Sequence, residues 1–290
     1  MEQSYVIFSD ISADIPVDYA KEHDIRFISM QYTIGDEDRV CEGIEEEAVL
    51  KRFYDGQRNG DLTRTSQIAP QNYMDVFASI LQEGEDILYL SLSSGLSSTY
   101  QSSCLAARQL EEQFPERKIV CVDSLGATGG MGMLLVSAVE NREKGMSIEE
   151  NGKWLEDNRL RVCHWFMVED LMYLKRGGRV SAATAVVGSA LNIKPILKIE
   201  EDGTLKNFAK ARGTKRALNN LVEYYDAASD KEDGERIFIM HADSLENAEY
   251  LEEKVKAINP TCRVEKMMLC PIIGAHTGPG MCAIVHFGRR

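Results

Sequence analysis

Positive charge is in short supply in this sequence. Its 290 residues carry 33 Lys and Arg against 46 Asp and Glu, a net charge of −13, and no basic run is long enough to track a phosphate backbone. That balance excludes nucleic acid and disfavours anionic membrane faces as partners. Long apolar runs are also missing. Nothing approaches the ~18 consecutive apolar residues of a membrane span, and the opening MEQSYVIFSD lacks the basic-then-apolar order of a secretion signal. A cytoplasmic protein with no stable membrane insertion is the expectation. Cysteine is sparse and unpatterned: seven, an odd number, stand at 41, 104, 121, 163, 262, 270 and 282 with no C-x-x-C, mostly in apolar runs. A disulfide framework is therefore not expected, nor a zinc site, because the five histidines show no ligand spacing beside them. The phosphate-binding G-x-x-x-x-G-K-[ST] is absent, and the glycines of GATGGMG have the wrong spacing for a dinucleotide fingerprint.

What is present suits a globular α/β chain. Hydrophobic residues make up 44% of the sequence, enough to fill sizeable cores. Short apolar runs such as YVIFSD, DILYLSLS and KIVCVDS read as strands and alternate with longer segments of helical period. PQNYMDVFASILQEG opens with proline at a first helical turn and stops at Gly84, and LSSTYQSSCLAARQLEEQF is a second helix. Later, ERIFIMHA, RVEKMMLC and MCAIVHF read as strands, with a charged helix over 244–259. The acidic helix MSIEENGKWLEDNRL, 146–160, looks like a bridge between halves, which places the domains at 1–160 and 161–290. EGIEEEAVLKR reads as a solvated helix face.

The loops after the early strands concentrate polar chemistry, and strand-end loops are where α/β sheets bind ligands. They are SDISAD, SLSSGLSST and DSLGATGG. The second holds Ser91, Ser93, Ser94, Ser97, Ser98 and Thr99 at a strand-to-helix turn, where hydroxyls and free helix N–H groups can meet a carboxylate or phosphate, or can simply cap the helix. LTRTSQIAP adds Thr63, Thr65, Ser66 and Gln67 before a helix-opening proline. YLKRGGRVS sets Arg176 and Arg179 around Gly177 and Gly178, either at an anion or on a solvated turn. IGAHTGPG, 273–280, puts His276 among glycines, a backbone suited to turns or close approach and not to a helix. Three classes stay open on these residues: a lipid carrier, a receptor for another small anion, and a serine hydrolase. The last would use Ser97, Asp123 and His276, with GLSST as an imperfect G-x-S-x-G elbow whose final glycine is Thr99.

Taken in order, SDISADIP, TSQIAP, SLSSGLSSTYQS, CVDSLGATGG, YLKRGGRVS, LNIKPIL and IGAHTGPG resemble the DegV family of bacterial fatty-acid-binding proteins over nearly the whole chain. The resemblance implies two α/β domains, a mostly parallel N-terminal sheet and a mixed C-terminal one, with closing strands that can return toward the first domain. A tunnel at the junction would hold one long-chain fatty acid such as palmitate, stearate or oleate, with no further cofactor and no metal. It implies a monomeric, non-enzymatic carrier whose bound acid is phosphorylated by a separate fatty acid kinase subunit for phospholipid synthesis. Carried over, Thr65 and Ser97 would hydrogen-bond the carboxylate, His276 and Arg179 would stand around it, and Ser66 and Ser98 would border it. The chain departs from the family pattern at Ser98, Ile68 and Ile11. The apolar stretch 182–193, AATAVVGSALNI, is material for tail lining or for ordinary core.

Overall fold

The computed structural model describes residues 5–181 and 192–290. The stretch read above as tail lining lies outside them except for Asn192 and Ile193.

The first sheet is parallel. Its strands β1 (Tyr5–Asp10), β2 (Arg26–Ile28), β6 (Asp86–Ser91) and β7 (Ile119–Asp123) lie in the order β2-β1-β6-β7. β1 and β6 are buried along their whole length, as strands covered on both faces must be. Helices α3 (Pro70–Gln82), α4 (Thr99–Glu111) and α6 (Ile148–Asn158) pack against it. Pro70 opens α3, and Gly84 at φ +86 follows its end, as the sequence indicates. α6 is fixed by a reciprocal Ser147–Glu150 capping box.

The second sheet is mixed. β8 (Val162–Met167), β9 (Ile193–Ile199), β10 (Leu205–Arg212), β11 (Arg236–His241), β12 (Arg263–Met268) and β13 (Cys282–Phe287) run β10-β9-β8-β13-β11-β12, antiparallel except for β11 beside β12. One face, with Trp165, Met167 and Ile284, meets α8 (Thr214–Ala228) and α9 (Leu245–Ile258) through Leu218, Leu221 and Leu251. The opposite face turns toward the first sheet, and a single core runs from Phe8 and Tyr89 through to Phe166, Phe238 and Val285.

Between the sheets lies α5 (Gly129–Glu143), buried on nearly every side and touching β1 and β6 as well as β8, β11 and β13. Its opening glycines answer for the GATGGMG stretch. A Cβ at Gly130 would sit 1.7 Å from His164 Nε2, and one at Gly132 would sit 2.2 Å from the Asp14 carbonyl oxygen.

A third, antiparallel sheet of β3 (Met30–Ile34), β4 (Glu37–Cys41) and β5 (Thr63–Thr65) is an element the strand reading above does not contain. Its signal is the alternation in MQYTI followed by a two-residue turn with Gly35 at φ +58. α1 (Val17–Glu22), α2 (Glu47–Arg58), α7 (Met172–Arg176) and α10 (Pro271–Thr277) complete the described elements. Among the described residues no helix is long and apolar enough to cross a membrane.

Candidate functional site

The stretch containing IGAHTGPG is the first correction. Its leading half is helical: α10 runs from Pro271 to Thr277, and His276 lies in the last turn. Proline at the first turn is tolerated because its missing N–H would be unpaired anyway. Gly274 is required inside the helix by close approach, since a Cβ there would lie 2.5 Å from the Tyr54 hydroxyl of α2. The helix is held by Gln57 Nε2 donating to the Gly274 carbonyl at 3.0 Å and Thr63 Oγ1 donating to the Ala275 carbonyl at 2.9 Å. Only after Thr277 do the glycines act as turn residues, with Gly278 at φ +72 and Gly280 at φ +83.

His276 Nε2 and Thr65 Oγ1, at the end of β5, are 2.8 Å apart and share one hydrogen bond. Nδ1 of the same ring is buried without a partner among the described residues. It fits there because residue 177 is glycine: a Cβ at that position would lie 2.1 Å from Nδ1. Burial first, and then the Arg179 charge, push His276 down to about 4, so the ring is neutral at pH 7. Arg179 is half-buried. Its Nε donates to the Leu96 carbonyl at 3.1 Å and Nη1 to the Gly177 carbonyl, which ties the KRGGR turn to the serine-rich loop. Burial lowers its pKa from the usual guanidinium value. Ser97 Oγ pairs with Thr99 Oγ1 at 2.6 Å in the first turn of α4.

These groups line one cavity with about 790 Å³ of space free of protein atoms, part of it open to solvent. Thr65, Ser66, Ser97, Arg179 and His276 are in its wall, and so is Gln67. Ser98 is not: it is exposed at the N-cap of α4, outside the lining, where it makes no side-chain cap hydrogen bond. Ile68 is buried in the core, outside the lining too. The rest of the wall is largely apolar and comes from residues the motifs do not mark. His164 and Phe166 on β8, and Ala283 and Val285 on β13, face it at two-residue spacing, while Cys163, Trp165, Cys282 and Ile284 between them belong to the core behind the sheet. Met30, Leu174, Ile199 and Leu205 add to it from four further elements. Strand alternation could have selected the β8 and β13 residues; nothing local marks the others as neighbours.

The hydrolase alternative fails on geometry. Asp123 Oδ1 accepts from the backbone amides of Ser94 at 3.1 Å and Leu125 at 3.0 Å, and Ser97 is turned to Thr99. Among the described residues Ser97, Asp123 and His276 make no hydrogen bond to one another, so no base is aligned on the serine and no acid on the base. Nor is there a group of three or more His, Cys, Asp or Glu able to hold a metal ion among the described residues.

Known proteins share this architecture throughout. The family described as "Uncharacterised protein, DegV family" matches residues 4–289. A DegV domain-containing protein of Clostridium perfringens is 37% identical over 286 residues, covering 99% of this chain and 98% of that one. Among solved structures, a fatty-acid-binding DegV family protein of Thermus thermophilus is 28% identical with a TM-score of 0.85, covering 98% of this chain and 99% of that one. DegV of Bacillus subtilis, described as a fatty-acid-binding protein, is also 28% identical, with a TM-score of 0.83 and coverage of 99% and 100%. With the family matched from end to end and its α/β architecture reproduced, this chain belongs to the DegV family.

Proposed function

We propose that this protein is a carrier that binds one long-chain fatty acid, with the tail in the apolar cavity and the carboxylate at Thr65, Ser97, His276 and Arg179. Ser66 borders the head group. The observation that carries the reading is the pairing, in one cavity, of a mainly apolar wall with a polar cluster that brings Thr65, His276 and Arg179 together. A sixteen-carbon tail gains on the order of 10 kcal/mol from burial at ~0.8 kcal/mol per methylene, before ordering costs. The head group then needs only enough hydrogen bonds to leave water without loss, which neutral hydroxyls, a neutral imidazole and one guanidinium supply. That Thermus and Bacillus relatives are described as binding fatty acids supports the same ligand here.

The finer reading follows from the family resemblance. The carrier is a cytoplasmic monomer, its residues 1–160 and 161–290 form the two halves around the tunnel, and it presents the carboxylate to a separate kinase that makes the acyl phosphate. A ligand held this firmly survives purification. Native mass spectrometry followed by denaturing extraction should find a single C16 to C18 fatty acid per chain. Protein that is lipid-free and cannot be loaded with palmitate or oleate at micromolar concentration would refute the reading.

A further inference from the structure

The SDISAD loop carries two carboxylates, Asp10 and Asp14, that take no part in the head-group cluster. Both are buried, at 0% and 8% exposure. Buried carboxylates persist where their oxygens are filled, and three of the groups that fill these, the Leu92 and Cys270 amides and the Thr128 hydroxyl, belong to separate segments that reach the cavity wall. Asp10 Oδ2 accepts from the Leu92 backbone amide at 2.8 Å and from the Tyr89 hydroxyl at 3.1 Å, while Oδ1 accepts from the Ser12 amide at 3.2 Å. Leu92 lines the cavity and begins the loop that delivers Leu96 and Ser97. Asp14 Oδ1 accepts from the Cys270 amide at 2.9 Å, and Oδ2 from the Thr128 hydroxyl at 2.5 Å.

Cys270 is the N-cap of α10, which carries Ile272, Ile273 and His276 into the wall. Thr128 lines the cavity itself and is the N-cap of α5. Its φ is +49, a conformation unfavourable for a β-branched residue. Such strain persists only when the surroundings over-determine it, and the bond to Asp14 is the side-chain contact that does so. The SDISAD loop is itself fixed, because the Asp14 carbonyl rests against α5 where Gly132 has no side chain.

We propose that Asp10 and Asp14 are positioning residues for the ligand cavity: from one short loop they set the Ser97 loop, Thr128 and the His276 helix against one another. This rests on the reading of the cavity as a fatty-acid site. Asp14 is the more exposed to test, since one carboxylate joins two walls.

The measurement is release of a bound fluorescent fatty acid, cis-parinaric acid, to albumin, run beside thermal unfolding. Asp14→Ala should speed release about tenfold, and Asp14→Asn, which keeps an acceptor for Cys270 and a polar partner for Thr128, should restore it to within about twofold. Thr128→Val exchanges only the hydroxyl for a methyl group. If Thr128 merely touched the tail, the added apolar surface would slow release; positioning by Asp14 requires release to quicken, so this variant decides the question even where Asp14→Ala does not fold. Leu251→Ala, in the core on the far face of the six-stranded sheet, should lower the melting temperature without changing release. Unchanged release in Asp14→Ala and slowed or unchanged release in Thr128→Val would overturn the proposal. So would release in Leu251→Ala that quickens in step with lost stability. A parent protein that binds no fatty acid at all would instead overturn the fatty-acid reading, and the proposal with it.

Discussion

Asp14 also makes the stability of the fold depend on pH in an unusual direction. Burial pushes its carboxyl up to about 6, while its bonds from Thr128 and the Cys270 amide pull the other way. The Cys41 and Cys270 thiols and the Tyr54 phenol around it are themselves pushed up by burial and stay neutral. Because the native pKa lies above the unfolded value, the native state holds the proton more tightly. The resulting stability is fully present below pH ~4 and is lost as pH rises through about 6. Two units correspond to about 3 kcal/mol at 1.36 kcal/mol each. Asp14→Asn removes the ionisable group and keeps both partners, so its advantage over the parent should grow by about 2.5 kcal/mol between pH 4 and pH 7.5. Urea unfolding of both proteins across that range reads the difference directly, and every other titrating group cancels in it. A difference that stays flat with pH would show that Asp14 ionises as freely in the fold as in the unfolded chain, and the reasoning would fail.

Four further outcomes follow from the geometry. Burial holds His164 near 3, His276 near 4 and His286 near 4; depressed histidine values give stability that is present above pH ~6.5 and lost on acidification, so the parent's unfolding midpoint in urea should drop between pH 6.5 and 4.5, and less steeply in His286→Phe. Gly177→Ala would press a methyl group onto His276 Nδ1; it should break the Thr65 hydrogen bond and raise the Kd for palmitate several-fold in a displacement assay, while Gly43→Ala, at a position with no described atom near the added methyl and no left-handed backbone, changes binding little. Ser97→Ala should leave any trace hydrolysis of p-nitrophenyl esters unchanged, and loss of turnover in that variant would revive the hydrolase. His276→Ala should slow acyl-phosphate formation with a cognate kinase more than it weakens fatty-acid binding, because the tail supplies most of the affinity; equal kinase-coupled rates would remove His276 from that role.

Where hydrophobic pattern and punctuation coincide, the chain could be read directly. YVIFSD and DILYLS are strands because runs of buried β-formers end at polar loops, the half-buried IVCVD follows the same pattern, and Pro70 and Gly84 bracket a helix as expected. The small antiparallel sheet is less visible because β4, EDRVC, is nearly all exposed and offers no apolar face. IGAHTGPG misleads because glycine propensity argues against helix, whereas tertiary contact with Tyr54 demands glycine inside one. The site motifs gave Thr65, Ser66, Ser97, Arg179 and His276 because hydroxyls, Arg and His beside glycines are conspicuous. They also gave Ser98, one residue along, which the helix geometry turns outward. The apolar wall could not be read, since Met30 on the small antiparallel sheet becomes a neighbour of Leu205 and Val285 on the six-stranded one only when the two sheets meet.

The central helix α5 has a consequence for how this architecture can change over evolutionary time. With the β1–β6 sheet on one side and the β8–β13 sheet on the other, it has almost no face that water could take over. A chain ending near residue 160 would leave one flank of that helix bare, and a chain beginning there would lack the surface its sheet rests on. The two ends of the gene are therefore not interchangeable modules: a stretch borrowed from a distant relative must match the same glycine notches at positions 129, 130 and 132 against Met240, His164 and Phe238. Drift on either side of the helix is answerable to the other, so the halves must diversify together.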